Sequence, residues 1–70
     1  MNETDRLCNL LYSFMFSEDK RLETEVDNCY HLLKQNDDDL LCIENYRQSV
    51  QRYKDFKILE RKVFELLKRF

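Results

Sequence analysis

Hydrophobic residues recur every three or four positions along most of the chain, which is the repeat that gives an α-helix one apolar face. The first set with this spacing is Leu7, Leu10, Leu11, Phe14 and Met15. Tyr12 and Phe16 lie off that face, so the segment is apolar nearly all round. A helix of this kind needs neighbours on more than one side.

A polar stretch at residues 17–21 interrupts the pattern and allows two interpretations. Ser17 followed by two acidic residues is typical of a helix start, which would give three helices in all. Met15 and Leu22 are one heptad apart, however, and neither Gly nor Pro stands between them, which favours a continuous helix with at most a kink. The pattern then resumes with Leu22, Val26, Cys29, Tyr30 and Leu33.

The clearest break in the chain is the polar run at residues 35–38. Asn36 can take the left-handed conformation that ends a helix, and an Asp of the following run can cap the next one. Because this break falls at the middle of the sequence, the pattern predicts an all-α fold, an antiparallel αα-hairpin with long helices. We expect one domain over residues 1–70, with a first arm at 3–35, a loop at 35–38 and a second arm at 39–70.

The second arm carries two apolar seams with the alternating spacing of a coiled coil. The first seam is formed by Ile43, Tyr46, Val50 and Tyr53. The second seam is formed by Phe56, Leu59, Val63, Leu66 and Phe70. The step from Tyr53 to Phe56 is three residues where four would keep the register, so we expect a stammer that rotates the seam.

The length of the chain makes a lone hairpin a weak candidate for the folded unit. Ordering 70 residues costs roughly 1.5 kcal/mol each, on the order of 100 kcal/mol in all, which a small core rarely offsets. Apolar residues also exceed one stripe near both termini, and the hairpin brings these two ends together. We therefore expect a homodimer, or a tight complex with another helical protein, built as a four-helix bundle. The predicted contact residues are Leu10, Leu11, Phe14, Phe64, Leu67 and Phe70.

Charge is unevenly distributed along the chain, although the net charge is only −2. Residues 1–44 contain eleven acidic and four basic residues, whereas residues 45–70 contain three acidic and eight basic residues. This asymmetry favours two arms that pair with each other, and a basic ligand-binding arm is the second interpretation. The first arm also has a dense acidic patch, which an inhibitor could use to mimic nucleic acid: Glu18, Asp19, Glu23, Glu25 and Asp27.

Basic residues of the second arm recur every seven positions and form one stripe: Arg47, Lys54, Arg61 and Lys68. Phosphate binding needs such a row, and Tyr46 and Tyr53 beside it could stack on bases. Glu65 interrupts the row, however, and flanking charges are normal in coiled coils. Nucleic-acid binding is therefore the alternative to helix-to-helix contact and not the favoured function.

The sequence offers little for catalysis, metal binding or cofactors. His31 is the single histidine, so a Ser or Cys nucleophile would depend on it as base. Cys29, His31 and Cys42 could meet across the hairpin, but the paired cysteine spacing of zinc sites is absent. The aspartates at 37–39 lack the Gly and the distant Glu of a calcium loop, and a phosphate-binding loop needs Gly, of which the chain has none. We expect no enzyme activity, no cofactor and no metal.

Three cysteines, an odd number placed within apolar patterns, favour reduced thiols in the cytoplasm. Charged residues interrupt the first twenty positions and no run of 18 apolar residues occurs, so we expect neither a secretory leader nor a membrane span. Together these patterns predict a small non-enzymatic interaction module, a regulator, adaptor or assembly subunit that acts through coiled-coil-type helix contacts.

Overall fold

The computed structural model describes residues 2–69, which form two α-helices joined by a short loop. Helix α1 spans Glu3–Gln35 and helix α2 spans Leu40–Leu67. The helices pack side by side, and the Cα trace measures 54 × 17 × 12 Å. The prediction of an all-α helical hairpin is confirmed. Residues 1 and 70 lie outside the part of the chain that the structure describes.

Helix α1 continues without interruption through the polar stretch at residues 17–21. An ion pair between Glu18 and Arg21, one turn apart, lies within this stretch. The expectation of a continuous helix is thus confirmed, and the three-helix interpretation based on Ser17 is wrong. Because no separate first helix folds back over the hairpin, the apolar surface near the chain ends stays open.

Both helices begin at a side chain that accepts a hydrogen bond from the first turn, where backbone N–H groups lack helical partners. The Asn2 side chain accepts from the backbone N–H of Asp5 at 2.8 Å. The Asp39 side chain accepts from the backbone N–H of Leu41 at 2.9 Å. The run of aspartates after the first arm therefore contains the cap that starts α2.

Helix α1 ends at Asn36, which forms three hydrogen bonds to the last turn. Its backbone N–H donates to the carbonyls of Leu32 and Leu33, and its side-chain amide donates to the Leu32 carbonyl at 3.1 Å. Its φ is −137°, so the left-handed conformation suggested by the sequence is not adopted. The amide side chain supplies the stop instead.

The two helices run antiparallel with a constant register. Each step towards the end of α1 is matched by a similar step towards the start of α2, as four inter-helix contacts show. These contacts join Tyr12 to Phe64, Asp19 to Lys57, Glu25 to Arg52, and Tyr30 to Tyr46.

The buried core between the helices is small. Met15, Leu22 and Phe56 are the buried hydrophobic residues within residues 2–69. Partly buried residues pack against them: Leu11, Tyr53, Val63 and Phe64. A core of this size fills the seam between the helices and leaves the outer surface of each helix in water.

The seam of α2 differs from the one that the hydrophobic pattern indicates. Among the partly or fully buried residues of α2, six follow one unbroken heptad pattern along the seam: Tyr46, Ser49, Tyr53, Phe56, Glu60 and Val63. Ser49 is only 1% exposed, whereas Leu59 and Leu66 are more than half exposed. The predicted stammer is therefore wrong, because polar residues complete the seam.

Local hydrogen bonds explain how polar residues can hold two of these seam positions. The Ser49 hydroxyl donates to the Tyr46 carbonyl at 2.7 Å, so it is satisfied within its own helix. The Glu60 carboxylate accepts from the Lys57 ammonium at 3.2 Å. Neither residue carries an unpaired polar group into the interior.

Candidate protein–protein interface

Much of the hydrophobic surface of the hairpin faces solvent. The chain exposes 5870 Å², whereas a compact monomer of its mass exposes about 4,700 Å². Thirteen large hydrophobic side chains are at least 41% exposed within residues 2–69. The difference of about 1,100 Å² is of the size that one partner contributes to a protein–protein interface.

The contact between Glu25 and Arg52 marks one side of the hairpin, and it shows which exposed residues share that side. Leu7 and Phe14 precede Glu25 by 18 and 11 residues, whole numbers of helical turns, so they lie on the same edge of α1. Two leucines follow Arg52 by one and two heptads on α2. The "leucine face" is defined here as Leu7, Leu10, Phe14, Leu59 and Leu66.

All five residues of the leucine face are between 54% and 59% exposed. A side chain of this size exposes about 100 Å² at that fraction, so the face offers about 500 Å² of apolar surface. The largest apolar patch on a typical soluble monomer measures about 300–600 Å² and is often functional. This surface is the strongest candidate for a functional site.

The opposite side of the hairpin is already partly closed by contacts within the chain. The rings of Tyr12 and Phe64 pack in a tilted arrangement with centroids 5.1 Å apart, and those of Tyr30 and Tyr46 have centroids 5.9 Å apart. Aromatic pairs at these separations are attractive beyond the area they bury. Their ring surfaces are therefore partly used inside one chain.

A polar cluster lies between these two ring pairs, centred on Asp19. The Lys57 ammonium donates to Asp19 Oδ2 at 2.6 Å, and the Tyr53 hydroxyl donates to Asp19 Oδ1 at 2.9 Å. The hydrogen bond from Lys57 is the main cause that lowers the pKa of Asp19. The hydrogen bonds to Asp19 are also the main causes that raise the pKa of Lys57 and of Tyr53. The cluster joins α1 to α2.

The structure divides the contact residues predicted from the sequence. Leu10 and Phe14 are exposed and belong to the leucine face, whereas Leu11 and Phe64 pack against the core of their own hairpin. Leu67 is half-buried beside Leu11. The predicted contact at Phe70 lies outside the described residues.

Sequence reasoning missed three residues of the leucine face. Hydrophobic spacing groups Leu7 with the apolar face of the first arm without predicting it as a contact residue, and it assigns Leu59 and Leu66 to the second seam of α2. The seven-residue steps from Arg52 to Leu59 and Leu66 were visible in the sequence. What the sequence did not show is that Arg52 marks an edge of the hairpin.

All four residues of the basic stripe are exposed: Arg47, Lys54, Arg61 and Lys68. The guanidinium of Arg47 donates to Glu44 at 2.9 and 3.1 Å, and this contact lowers the pKa of Glu44. The tyrosines expected to stack on bases are engaged elsewhere, since Tyr46 contacts Tyr30 and Tyr53 donates to Asp19. The stripe therefore has charge but lacks a free stacking platform beside it.

The acidic patch of the first arm is largely taken up by contacts within the chain. Asp19 binds Lys57, Glu25 binds Arg52, and Glu18 binds Arg21. Glu23 and Asp27 are exposed. Most of the patch thus pairs the helices or neutralises local charge and does not present a row of unpaired anions.

The residues considered for metal binding and catalysis are not gathered into a site. Within residues 2–69, no group of three or more His, Cys, Asp or Glu side chains is placed to hold a metal ion. Cys8, Cys29 and Cys42 are half-buried free thiols, and burial raises the pKa of the Cys42 thiol. His31 is exposed, with its ring 6.0 Å from that of Tyr30.

Neither of the described helices is both long and apolar enough to cross a membrane. In comparisons with known proteins, no family model, no curated protein and no solved structure matches this chain.

Proposed function

We propose that this chain is a non-enzymatic protein–protein interaction module whose functional unit is a homodimer of two hairpins packed as a four-helix bundle. The observation that carries the proposal is the excess of exposed over buried apolar surface. Three hydrophobic residues are buried within residues 2–69, and thirteen large ones are exposed. A two-helix hairpin covers one stripe of each helix, so further coverage requires further helices.

The open apolar surface is comparable in free energy to the stability of a whole small domain. Removing about 500 Å² of apolar surface from water contributes about 12 kcal/mol per chain. Small domains are stable by about 5–15 kcal/mol in total, and association costs about 4–15 kcal/mol. In this proposal a second hairpin covers that surface and stabilises the folded chain, so that folding is coupled to assembly.

Contact with another helix explains the exposed apolar residues of the hairpin better than nucleic-acid binding does. The basic stripe has Arg47 bound to Glu44, and the nearby Lys57 is bound to Asp19. A nucleic-acid surface would need those cations for phosphates and the tyrosine rings for bases. Five exposed apolar residues on one face, by contrast, have no use in binding a charged backbone.

A dimer of this kind would act as a regulator, adaptor or assembly subunit through the helical surfaces that it presents to partners. The three free thiols fit a reducing cytoplasm, where disulfides are rare.

The concentration dependence of thermal unfolding, followed by circular dichroism, tests this proposal. For a dimer that folds and associates in one step, each tenfold increase in protein concentration adds about 1.4 kcal/mol to the free energy of unfolding. We expect the unfolding midpoint to rise steadily between about 2 and about 200 µM. A fully helical protein whose midpoint does not move over this range contradicts the proposal.

A further inference from the structure

We infer that a second copy of this chain docks on the leucine face. This inference rests on the proposed function and adds the surface through which it operates. In a two-fold dimer both subunits use the same surface, so that surface must be complementary to itself. An apolar patch such as the leucine face meets this requirement, and balanced charges at its end nearest the loop favour the contact further.

The apolar patch includes residues of both helices at the same level of the hairpin. The ring contact between Tyr12 and Phe64 places these two residues side by side, and Leu10 and Leu66 each lie two residues further towards the open end. Leu10 and Leu66 therefore lie at the same level, one on each helix. From Leu7 to the level of Leu59 the patch extends about 15 Å along the hairpin.

The area of the patch matches what a stable dimer needs. Two leucine faces together provide about 1,000 Å² of apolar surface, which is the lower limit for a specific interface. The polar side chains at the border add to this and bring each partner towards the standard of about 800 Å². The excess surface of about 1,100 Å² per chain is large enough to supply it.

The charges at the end of the patch nearest the loop are balanced. Glu18, Arg21, Glu25 and Arg52 form a chain of ion pairs with two negative and two positive groups. Two copies of such a chain of ion pairs meet without an excess of one sign. The basic stripe on another side of α2 would place like charges against each other in a two-fold contact.

Leu59 and Ile58 form a matched pair that tests the docking surface. They are adjacent on α2 and similarly exposed, at 55% and 58%, but they point about 100° apart around the helix. We expect Leu59→Glu to weaken dimerisation at least about 100-fold, since it places one charge from each copy in an apolar interface. We expect Ile58→Glu to change the dissociation constant less than about threefold, since a surface charge away from the contact has little effect. The dissociation constants are measured by sedimentation equilibrium.

A second pair of variants, Phe14→Ala and Phe16→Ala, tests the docking surface if the Leu59→Glu variant unfolds when it loses the dimer. Phe14→Ala removes a ring from the leucine face, and Phe16→Ala removes a slightly more exposed ring from another part of α1. We expect Phe14→Ala to weaken dimerisation about tenfold or more and to lower the unfolding midpoint most at low protein concentration. Phe16→Ala should leave both quantities close to those of the wild type.

The outcomes separate the docking surface from the proposed function. A wild-type dimer that survives Leu59→Glu but dissociates in Ile58→Glu or Phe16→Ala overturns the leucine face and leaves the proposed function standing. A wild-type protein that is monomeric at all concentrations overturns both. A folded monomer that binds vesicles of anionic phospholipid, and loses that binding in Leu59→Glu, shows that a membrane surface and not a second copy occupies the face.

Discussion

The seam of α2 contains Ser49, and replacing this residue with Leu tests the register of the hairpin. The side chain of Ser49 is 1% exposed, and its hydroxyl donates to the Tyr46 carbonyl. Leu is larger by two heavy atoms and has no hydrogen bond to make there. If hydrophobicity alone defined the seam, Ser49→Leu would stabilise the protein.

The packing around Ser49 leads to the opposite expectation for the free energy of unfolding. Forcing extra methyl groups into a packed site costs about 1–3 kcal/mol. We therefore expect Ser49→Leu to lower the stability by about that amount per chain. Ser49→Ala removes only the hydroxyl group and its local hydrogen bond and adds no bulk, so its effect should stay below about 0.5 kcal/mol.

Urea unfolding at one fixed protein concentration provides the measurement, because the stability of an associating protein depends on concentration. Gln51→Leu is the control, since it adds Leu at an exposed position of the same helix. Its effect should stay within about 0.5 kcal/mol. If Ser49→Leu stabilises the protein, or behaves like Gln51→Leu, position 49 does not lie in the seam and the register is wrong.

Three further predictions concern pH, the loop and nucleic acid. Because the pKa of Asp19 is lowered, its contribution to stability is present above about pH 4 and is lost on further acidification. Because the pKa values of Lys57 and Tyr53 are raised, their contributions are present below about pH 10 and are lost as the pH rises through the folded-state pKa values. Asp19→Asn should therefore lower the free energy of unfolding by about 1 kcal/mol at neutral pH. In urea unfolding over a pH series, it should also reduce the loss of stability at the acidic and at the alkaline end. An unchanged pH dependence would show that the cluster does not stabilise the hairpin. Asn36→Ala should cost about 0.5–1.5 kcal/mol and speed amide hydrogen exchange in the last turn of α1, and unaltered exchange there would show that the amide is not the stop. Fluorescence titration with duplex DNA or single-stranded RNA should show no salt-dependent binding at micromolar protein; binding that Arg61→Glu abolishes would favour the basic stripe.

The sequence was sufficient to predict the hairpin because the signals for it are local. Apolar spacing defines both helices, the polar run near Asn36 defines the loop, and Met15 and Leu22 keep one register across the polar stretch between them. All of these depend on residues within a few turns of each other. The structure places Met15 and Leu22 in the core.

The seam of α2 and the exposed face could not be derived in the same way. Burial at Ser49 and Glu60 depends on which side of α2 meets α1, and hydrophobic spacing favoured Val50 and Leu59 for the corresponding places. The deciding contacts join residues that are far apart in the sequence, such as Glu25 and Arg52, which are 27 positions apart. Once that register is known, the seven-residue step from Leu59 to Leu66 marks the leucine face on the outside of the hairpin and not a buried seam.

Sedimentation equilibrium of the wild-type chain at tens of micromolar tests the central claim most directly, because it reports the mass of the folded unit without a label or a variant. The chain has a mass of 8.7 kDa. A homodimer joined through its exposed apolar surface predicts a single species of twice that mass, which dissociates only on dilution and loses helicity as it does so. A species of 8.7 kDa that keeps its full helical content at the same concentration contradicts the claim.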